Sequence, residues 1–426
     1  MEEKKKILII TYYWPPSGGA GVQRWLKFAK YLPEFGVEPI ILTVDPKYAS
    51  YPQRDESLEK DIRSDLKVFK TKSFEPLNLL SGLFGKKNVP YGGFTNVNKQ
   101  SFLQTVLRFI RGNFFIPDAR IGWNRYAYKK AKEIIKEYNI ETVITTSPPH
   151  STQLIGLKLK KNLNINWIAD FRDPWTDIYY YKDLLHTGFA KRLDKKKELK
   201  VLEGADRVIV VGKSLKEKFY HKVLQDKITV ISNGFDEEDF TGIVQKPDVF
   251  TITYTGTLSD QYNISTFIEA CKELKSKGIN FIIRFVGNIS DYNLNGFKTA
   301  GLFENLEIVT YVPHQKSIEY LFKSSVLLLV IPDFVGNKEI LTGKLFEYIA
   351  TQIPIIGIGP KDGDAAEVIS LCKSGEFFDC KNSEEIAKYI IGLRHDWVAG
   401  IQNETNHVEI KKLSRKFLTG QVVKLI

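Results

Sequence analysis

Short apolar runs alternate with helix-compatible segments, and the alternation occurs twice along these 426 residues. Ile7-Leu-Ile-Ile10 reads as a strand buried on both faces, Val22 to Leu32 as a helix, and Pro39-Ile-Ile-Leu-Thr-Val44 as the next strand. Further strands are expected at 141–146, 166–170, 207–211 and 228–231. The pattern restarts near Thr251, with strands at 250–254, 281–286, 306–310, 326–330 and 353–358. Helices are expected at 264–277, at 318–323 and after Thr342. Continuous apolar strands separated by helices belong to parallel sheets covered on both faces. The acidic, turn-rich stretch Asn233-Gly-Phe-Asp-Glu-Glu-Asp-Phe240, then Gly242 and Pro247, divides the two series. The expected fold class is therefore α/β, with two Rossmann-like doubly wound domains over 1–235 and 245–398. The chain after about Gly400 is expected to pack back on the first domain. Two such domains facing across a cleft would bind ligands outside the carboxyl ends of their strands.

Composition narrows the function classes. Net charge is +11, from 61 basic and 50 acidic residues, which suits anionic company such as nucleotides or lipid head groups. Nucleic acid is not expected as a partner, because no zinc-finger spacing, RNA-binding signature or long basic tail occurs. The three cysteines, Cys271, Cys372 and Cys380, lack metal-ligand spacing and read as reduced core thiols. No signal-peptide pattern precedes the first strand, and no apolar run reaches the 18 or so residues that span a bilayer. The expectation is a cytoplasmic protein whose membrane contact, if any, is peripheral.

Gly336-Asn-Lys-Glu-Ile-Leu-Thr-Gly-Lys-Leu-Phe-Glu-Tyr-Ile-Ala350 carries the strongest chemical signal. Thr342 is a good N-cap for a helix running through Ala350. A helix starting there aims free N–H groups and a partial positive charge at what precedes it, which suits a phosphate. Glu347 can accept from two vicinal hydroxyls, and Glu339 in the preceding loop can reach the other end of the same ligand. Ribose, diphosphate and sugar are thus addressed in order. Taken singly, Glu347 and Lys344 could be an ordinary dipole-favoured carboxylate and a solvated lysine.

The first domain offers weaker signals. Trp14-Pro-Pro-Ser-Gly-Gly-Ala-Gly-Val-Gln-Arg24 follows the first strand; its glycines permit close backbone approach, but the spacing is not a dinucleotide fingerprint. Thr145-Thr-Ser-Pro-Pro-His150 and Ala169-Asp-Phe-Arg-Asp-Pro-Trp-Thr-Asp177 fall at strand ends, where functional loops lie. His150, Arg172 and Asp173 are the polar candidates there. Phe74 to Arg125 breaks the alternation, and Ser101 to Phe115 has basic and apolar faces at helical spacing; Lys191 to Lys200 adds six cations against two acids. An insertion helix on the core, or a patch for an anionic membrane surface, would each account for these segments.

With these residues assembled, the chain resembles the GT-B glycosyltransferases of family 4 over nearly its whole length. The matching stretches are Pro15-Pro16 with Gly18-Gly19, Ser147-Pro-Pro149, Asp170-Phe-Arg-Asp-Pro-Trp175, Ile231-Ser-Asn-Gly-Phe-Asp236, Tyr254-Thr-Gly256, Arg284-Phe-Val-Gly287, and Glu339 with Glu347. The resemblance implies a retaining transferase that needs neither metal nor cofactor and takes a nucleotide-sugar donor and a glycan or lipid-linked acceptor. It further implies bacterial surface polysaccharide synthesis, as lipopolysaccharide, capsule or exopolysaccharide. Glu347 would hold the donor ribose and Glu339 the transferred sugar near the reacting carbon. Thr342 and Gly343 would supply amides to the phosphates, with Leu341, Gly256 and Thr257 completing the donor set, and Gly18 and Gly19 would admit the diphosphate. His150, Arg172 and Asp173 would complete the catalytic groups.

Three departures from the family pattern stand out. Thr257 replaces an arginine, Tyr262 or Asn263 replaces a lysine, and Arg172-Asp173 stands where a histidine is frequent. Charge on the leaving diphosphate would then fall to Lys344 and Arg284. Other readings are a metal-dependent transferase using Asp362-Gly-Asp364, where a turn is the simpler account, a sugar-nucleotide epimerase, and a non-catalytic sugar-nucleotide or membrane-binding protein.

Overall fold

The computed structural model describes residues 4–75 and 102–426. The chain falls into two compact units, Met1–Ser232 with Leu418–Ile426, and Asn233–Phe417.

In unit 1, strands β1 (Lys5–Ile10), β2 (Val37–Val44), β3 (Lys67–Thr71), β4 (Thr142–Ser147), β5 (Asn166–Phe171), β6 (Arg207–Val210) and β7 (Ile228–Val230) form one sheet. Their order is β3-β2-β1-β4-β5-β6-β7 and every pairing is parallel. Helices α1 (Ala20–Tyr31), α2 (Phe102–Phe114), α3 (Asn124–Tyr138), α4 (Ser151–Asn162), α5 (Gly188–Gly204) and α6 (Lys213–Tyr220) accompany it. The four consecutive apolar residues of β1 are required because both sheet faces are covered: Leu8 and Ile10 enter one core, Ile7 and Ile9 the other. Chain order reverses between β1 and β4, so the loops leaving Ile10 and Ser147 flank a crevice at the carboxyl edge.

Unit 2 repeats the plan with β8 (Thr251–Thr255), β9 (Ile282–Val286), β10 (Leu306–Val309), β11 (Val326–Val330), β12 (Ile355–Ile358) and β13 (Gly375–Phe378), in the parallel order β10-β9-β8-β11-β12-β13. Its helices are α7 (Ser265–Ser276), α8 (Asp291–Thr299), α9 (His314–Phe322), α10 (Gly343–Thr351), α11 (Asp364–Cys372), α12 (Ser383–Ala399) and α13 (His407–Lys412). Here the reversal lies between β8 and β11, so Gly256 and the loop leading to α10 share the crevice. A last helix, α14, runs over Arg415–Val423; Leu418 and Val422 pack in the core of unit 1, while Ile410 packs in unit 2.

Strands expected from the apolar runs are present within a residue or two. Two were not expected: β3, an edge strand whose apolar content is only Val68 and Phe69 between lysines, and β13, which opens on Gly375. A side chain there would meet the Ile355 carbonyl oxygen at 2.0 Å, so the sheet can only pass with glycine.

The Phe74–Arg125 insertion also differs in polarity from its expectation. Residues 76–101 lie outside the described residues. In α2 the arginines point inward, with Arg108 buried, while Val106, Phe109 and Phe114 face out. A helix whose cations are buried presents an aromatic surface, not a basic one.

Candidate active site

Helix α10 is anchored by Leu345, Phe346, Tyr348 and Ile349, all fully buried. Burying side chains of this size contributes on the order of 2 kcal/mol each. That fixes the opposite face, which carries Gly343, Lys344 and Glu347. Thr342 holds the N-cap position with extended backbone, but its hydroxyl makes no capping bond and is buried without a hydrogen-bond partner. The helix mouth therefore lacks the side-chain acceptor that usually satisfies its leading amides.

The Lys344 amine donates to the Tyr254 hydroxyl at 2.8 Å and lies 4.0 Å from the centre of that ring. Tyr254 in turn donates to the Thr257 carbonyl at 3.0 Å. Gly256, at φ +99°, faces the amine: a β-carbon there would sit 3.2 Å from Nζ. Burial pushes the Lys344 pKa down to about 7, only partly opposed by the Glu347 charge. Glu347 lies 2.9 Å from the His314 ring nitrogen Nε2 at the start of α9. Glu339 ends a short turn at 337–339 that begins on Gly336 in the left-handed region, and Leu341 packs into the core beneath.

Lys344, Glu347, Gly256 and Thr257 are thus brought together. Arg284 does not join them. Its guanidinium donates to Glu307 at 2.9 Å and to the Lys323 carbonyl at 2.8 Å, and it packs over Tyr320. Asp362 pairs with Lys338, and Gly363 caps α11, which is the turn expected at Asp362-Gly-Asp364. Tyr254 and His314 were not identified as site residues from sequence. Tyr254 opens the Tyr254-Thr-Gly256 motif, in which nothing local assigns the ring a role, and His314 carries no local signal, since its partner is 33 residues away.

In unit 1 the glycines after β1 have separate reasons. Gly18 is packed on the chain at 53–55, where a β-carbon would lie 3.1 Å from that of Asp55. Gly19 takes φ +99° with open space before α1. A β-carbon at Gly21 would meet the Arg172 guanidinium at 2.1 Å. Arg172 donates to the carbonyls of Ser147 (2.9 Å) and Pro148 (3.0 Å), tying the two strand-end loops together. Burial lowers its pKa and raises that of the adjacent Asp173. His150 stacks on Trp175 with ring centres 5.1 Å apart, and burial pushes its pKa down to about 4, so it is a neutral imidazole at physiological pH.

The first aspartate of Asp170-Phe-Arg-Asp is interior. It accepts from Arg24 (2.8 Å), the Trp25 indole (2.7 Å) and the Thr146 hydroxyl (2.7 Å), and neither Asp170 nor Arg24 is exposed. That ion pair locks α1 against the sheet.

Comparison with solved structures gives a glycosyltransferase from Rickettsia africae (TM-score 0.63, 18% identity, 99% of this chain and 97% of that one). It also gives Anabaena HepE in complex with UDP and glucose (TM-score 0.60, 13% identity, 99% and 98%). A third is the lipopolysaccharide outer core galactosyltransferase WaaB (TM-score 0.57, 14% identity, 99% and 98%). At these identities the likeness establishes the fold, which is GT-B. No curated protein is a significant sequence match. Two family models match consecutive stretches, Glycosyltransferase Family 4 over residues 90–239 and Glycosyl transferases group 1 over residues 235–412. The chain belongs to the family 4 glycosyltransferases and is a glycosyltransferase.

Proposed function

We propose that unit 2 holds a nucleoside-diphosphate sugar at the start of α10 and that the enzyme transfers the sugar, with retention and without a metal, to a glycan or lipid-linked acceptor. The observation that carries this reading is the uncapped helix start beside Lys344, with Glu347 on the next turn. Helix amides and the ammonium meet the diphosphate, Glu347 the ribose hydroxyls, and Glu339 the sugar; Leu341, Gly256 and Thr257 shape the pocket. His314 orients Glu347. Lys344 takes the leaving-group charge that Thr257 and Tyr262 cannot. On unit 1, Gly19 offers an open backbone to an anionic group, and His150, Arg172 and Asp173 serve the acceptor side. HepE, crystallised with UDP and glucose, and WaaB, an outer core galactosyltransferase, support nucleotide-sugar use and a role in surface polysaccharide.

Peripheral membrane contact on the cytoplasmic face is part of the proposal, with a changed surface. The supporting feature is Phe114 and Phe189, both about three-quarters exposed, beside the exposed Lys191, Arg192, Lys195 and Lys196. Asn113 bonds both the Leu185 carbonyl and the Thr187 amide, which brings the end of α2 to the start of α5. Aromatic residues rimmed by cations suit an anionic bilayer interface.

Steady-state kinetics with the best donor from a nucleotide-sugar panel tests the donor site. Glu347→Ala should raise KM for donor more than tenfold with a smaller change in kcat, whereas Glu339→Ala should lower kcat by about two orders of magnitude. Small and equal effects from both would reject the assignment.

A further inference from the structure

From Lys191 to Lys200 the acidic residues are Asp194 and Glu198, and both turn inward, each 1% exposed. They stand one turn apart on α5 and take hold of the same loop, the one that leaves β5. Glu198 accepts from the Thr176 hydroxyl at 2.6 Å and from the Lys222 amine at 3.0 Å, and that amine also donates to Asp177 at 2.6 Å. Glu198 is thus one half of a buried ion pair that ties the loop to the chain after α6. Asp194 differs. It accepts from two neutral donors, the Trp175 indole on Oδ1 and the Tyr181 hydroxyl on Oδ2, each at 2.9 Å. Burial lifts its pKa to about 6, with the charges of Asp118 and Glu198 adding to the rise.

A buried carboxylate held by neutral donors costs free energy that an apolar side chain of similar size would not. What Asp194 supplies is geometry, because its two bonds lead to two stacked pairs of rings. The Trp175 ring carries His150, with centres 5.1 Å apart and planes 13° from parallel. The Tyr181 ring carries His186 at 4.4 Å and 24°, and His186 also hydrogen-bonds the Tyr181 backbone. Oδ1 therefore governs one imidazole and Oδ2 the other.

All five side chains line a single cavity of about 170 Å³ within unit 1. Tyr13, from the loop after β1, and Pro148, from the loop after β4, share its wall. The cavity thus lies at the carboxyl-edge crevice where chain order reverses, the place for a ligand in a doubly wound sheet.

We propose that Asp194 is a positioning residue for the acceptor: through Trp175 and Tyr181 it fixes the two imidazoles that shape the acceptor cavity. The rings act as walls, so neither needs to bond the acceptor. This rests on the transferase reading, with the acceptor on unit 1. A shift of about 1 Å in such a wall is enough to cost up to about a hundredfold in rate.

The test is steady-state transfer from the best donor to an octyl glycoside selected from a panel, with donor hydrolysis measured in its absence. Asp194→Leu should raise KM for the glycoside about tenfold or more and leave donor KM and hydrolysis within about twofold. Asp194→Asn should restore most of the loss, because the Tyr181 hydroxyl can turn to accept from the amide while the indole still donates to the oxygen. Transfer and hydrolysis that fall together, or asparagine as damaging as leucine, would overturn the proposal.

Nitrogen-15 NMR of the histidine-labelled full-length protein reads the rings themselves. Asp194→Leu should move the His150 and His186 signals, and Tyr181→Phe the His186 signal alone. Signals that stay in place in Asp194→Leu overturn the proposal. Should that variant not fold, Tyr181→Phe decides: an unmoved His186 with an unchanged glycoside KM overturns it. An unsubstituted enzyme that hydrolyses its donor yet transfers to no glycoside overturns the acceptor reading by itself, and the histidine signals still decide whether Asp194 holds the two rings.

Discussion

Replacing Lys344 with methionine isolates the charge on which the donor site depends. The amine moves from an ordinary pKa of 10.5 to about 7, because burial over Tyr254 outweighs the attraction of Glu347. At about 1.4 kcal/mol per tenfold change, the empty site disfavours the ammonium by roughly 5 kcal/mol. The unfolded chain keeps its proton up to about 10.5 while the folded site releases it above about 7, so in that interval the unfolded state binds more protons. Stability attached to this group therefore rises with pH across the interval and is lost as pH falls through 7. Lys344→Met should melt higher than the unsubstituted protein near pH 7, with the gap closing toward pH 10. Donor binding runs the other way. A diphosphate restores the ammonium, so above pH 7 binding must take up a proton, and affinity should fall by up to about tenfold per pH unit between 7 and 9. Titration calorimetry with a nucleoside diphosphate, in buffers of different ionisation enthalpy, reads both the affinity and the proton uptake. Lys344→Met should bind weakly, show no uptake, and turn over about a hundredfold or more slowly. A flat pH profile for the unsubstituted protein, or the same slope in the variant, would refute the reasoning.

Asp170→Asn breaks the buried pair with Arg24 and should cost about 3–5 kcal/mol, seen as a lower denaturant midpoint, since it leaves an uncompensated charge in the interior. Near-unchanged stability would mean that Arg24 finds full compensation from the Ile231 and Ser232 carbonyls it also contacts. At the surface, Phe114→Ser with Phe189→Ser, or Lys195→Glu with Lys196→Glu, should each abolish co-sedimentation with anionic vesicles. Lys197→Gln should have little effect on it, because that amine donates inward to the Ile116 carbonyl. Vesicle binding unaffected by the first two pairs would end the membrane reading.

The fold was legible because its strands are buried on both faces and so read as unbroken apolar runs, as at Ile7–Ile10 and Val326–Val330. Edge strand β3 and the glycine-led β13 lack that signature. The start of α10 was legible from Thr342, but the idle hydroxyl was not, because capping depends on a rotamer that sequence does not specify. Partners distant along the chain were beyond reach: Tyr254 for Lys344, 90 residues apart, His314 for Glu347, and Gly21 for Arg172. The inward turn of Arg108 was equally hidden, since helical periodicity identifies two faces without saying which one the core takes.

The central claim is that the amides opening α10 grip a nucleoside diphosphate. Hydrogen–deuterium exchange resolved to single residues tests it most directly. Saturating nucleoside diphosphate should slow exchange at Gly343 through Glu347 and around Gly256 more than anywhere else in unit 2. Protection elsewhere in unit 2, with the start of α10 exchanging as in the free protein, would contradict the account.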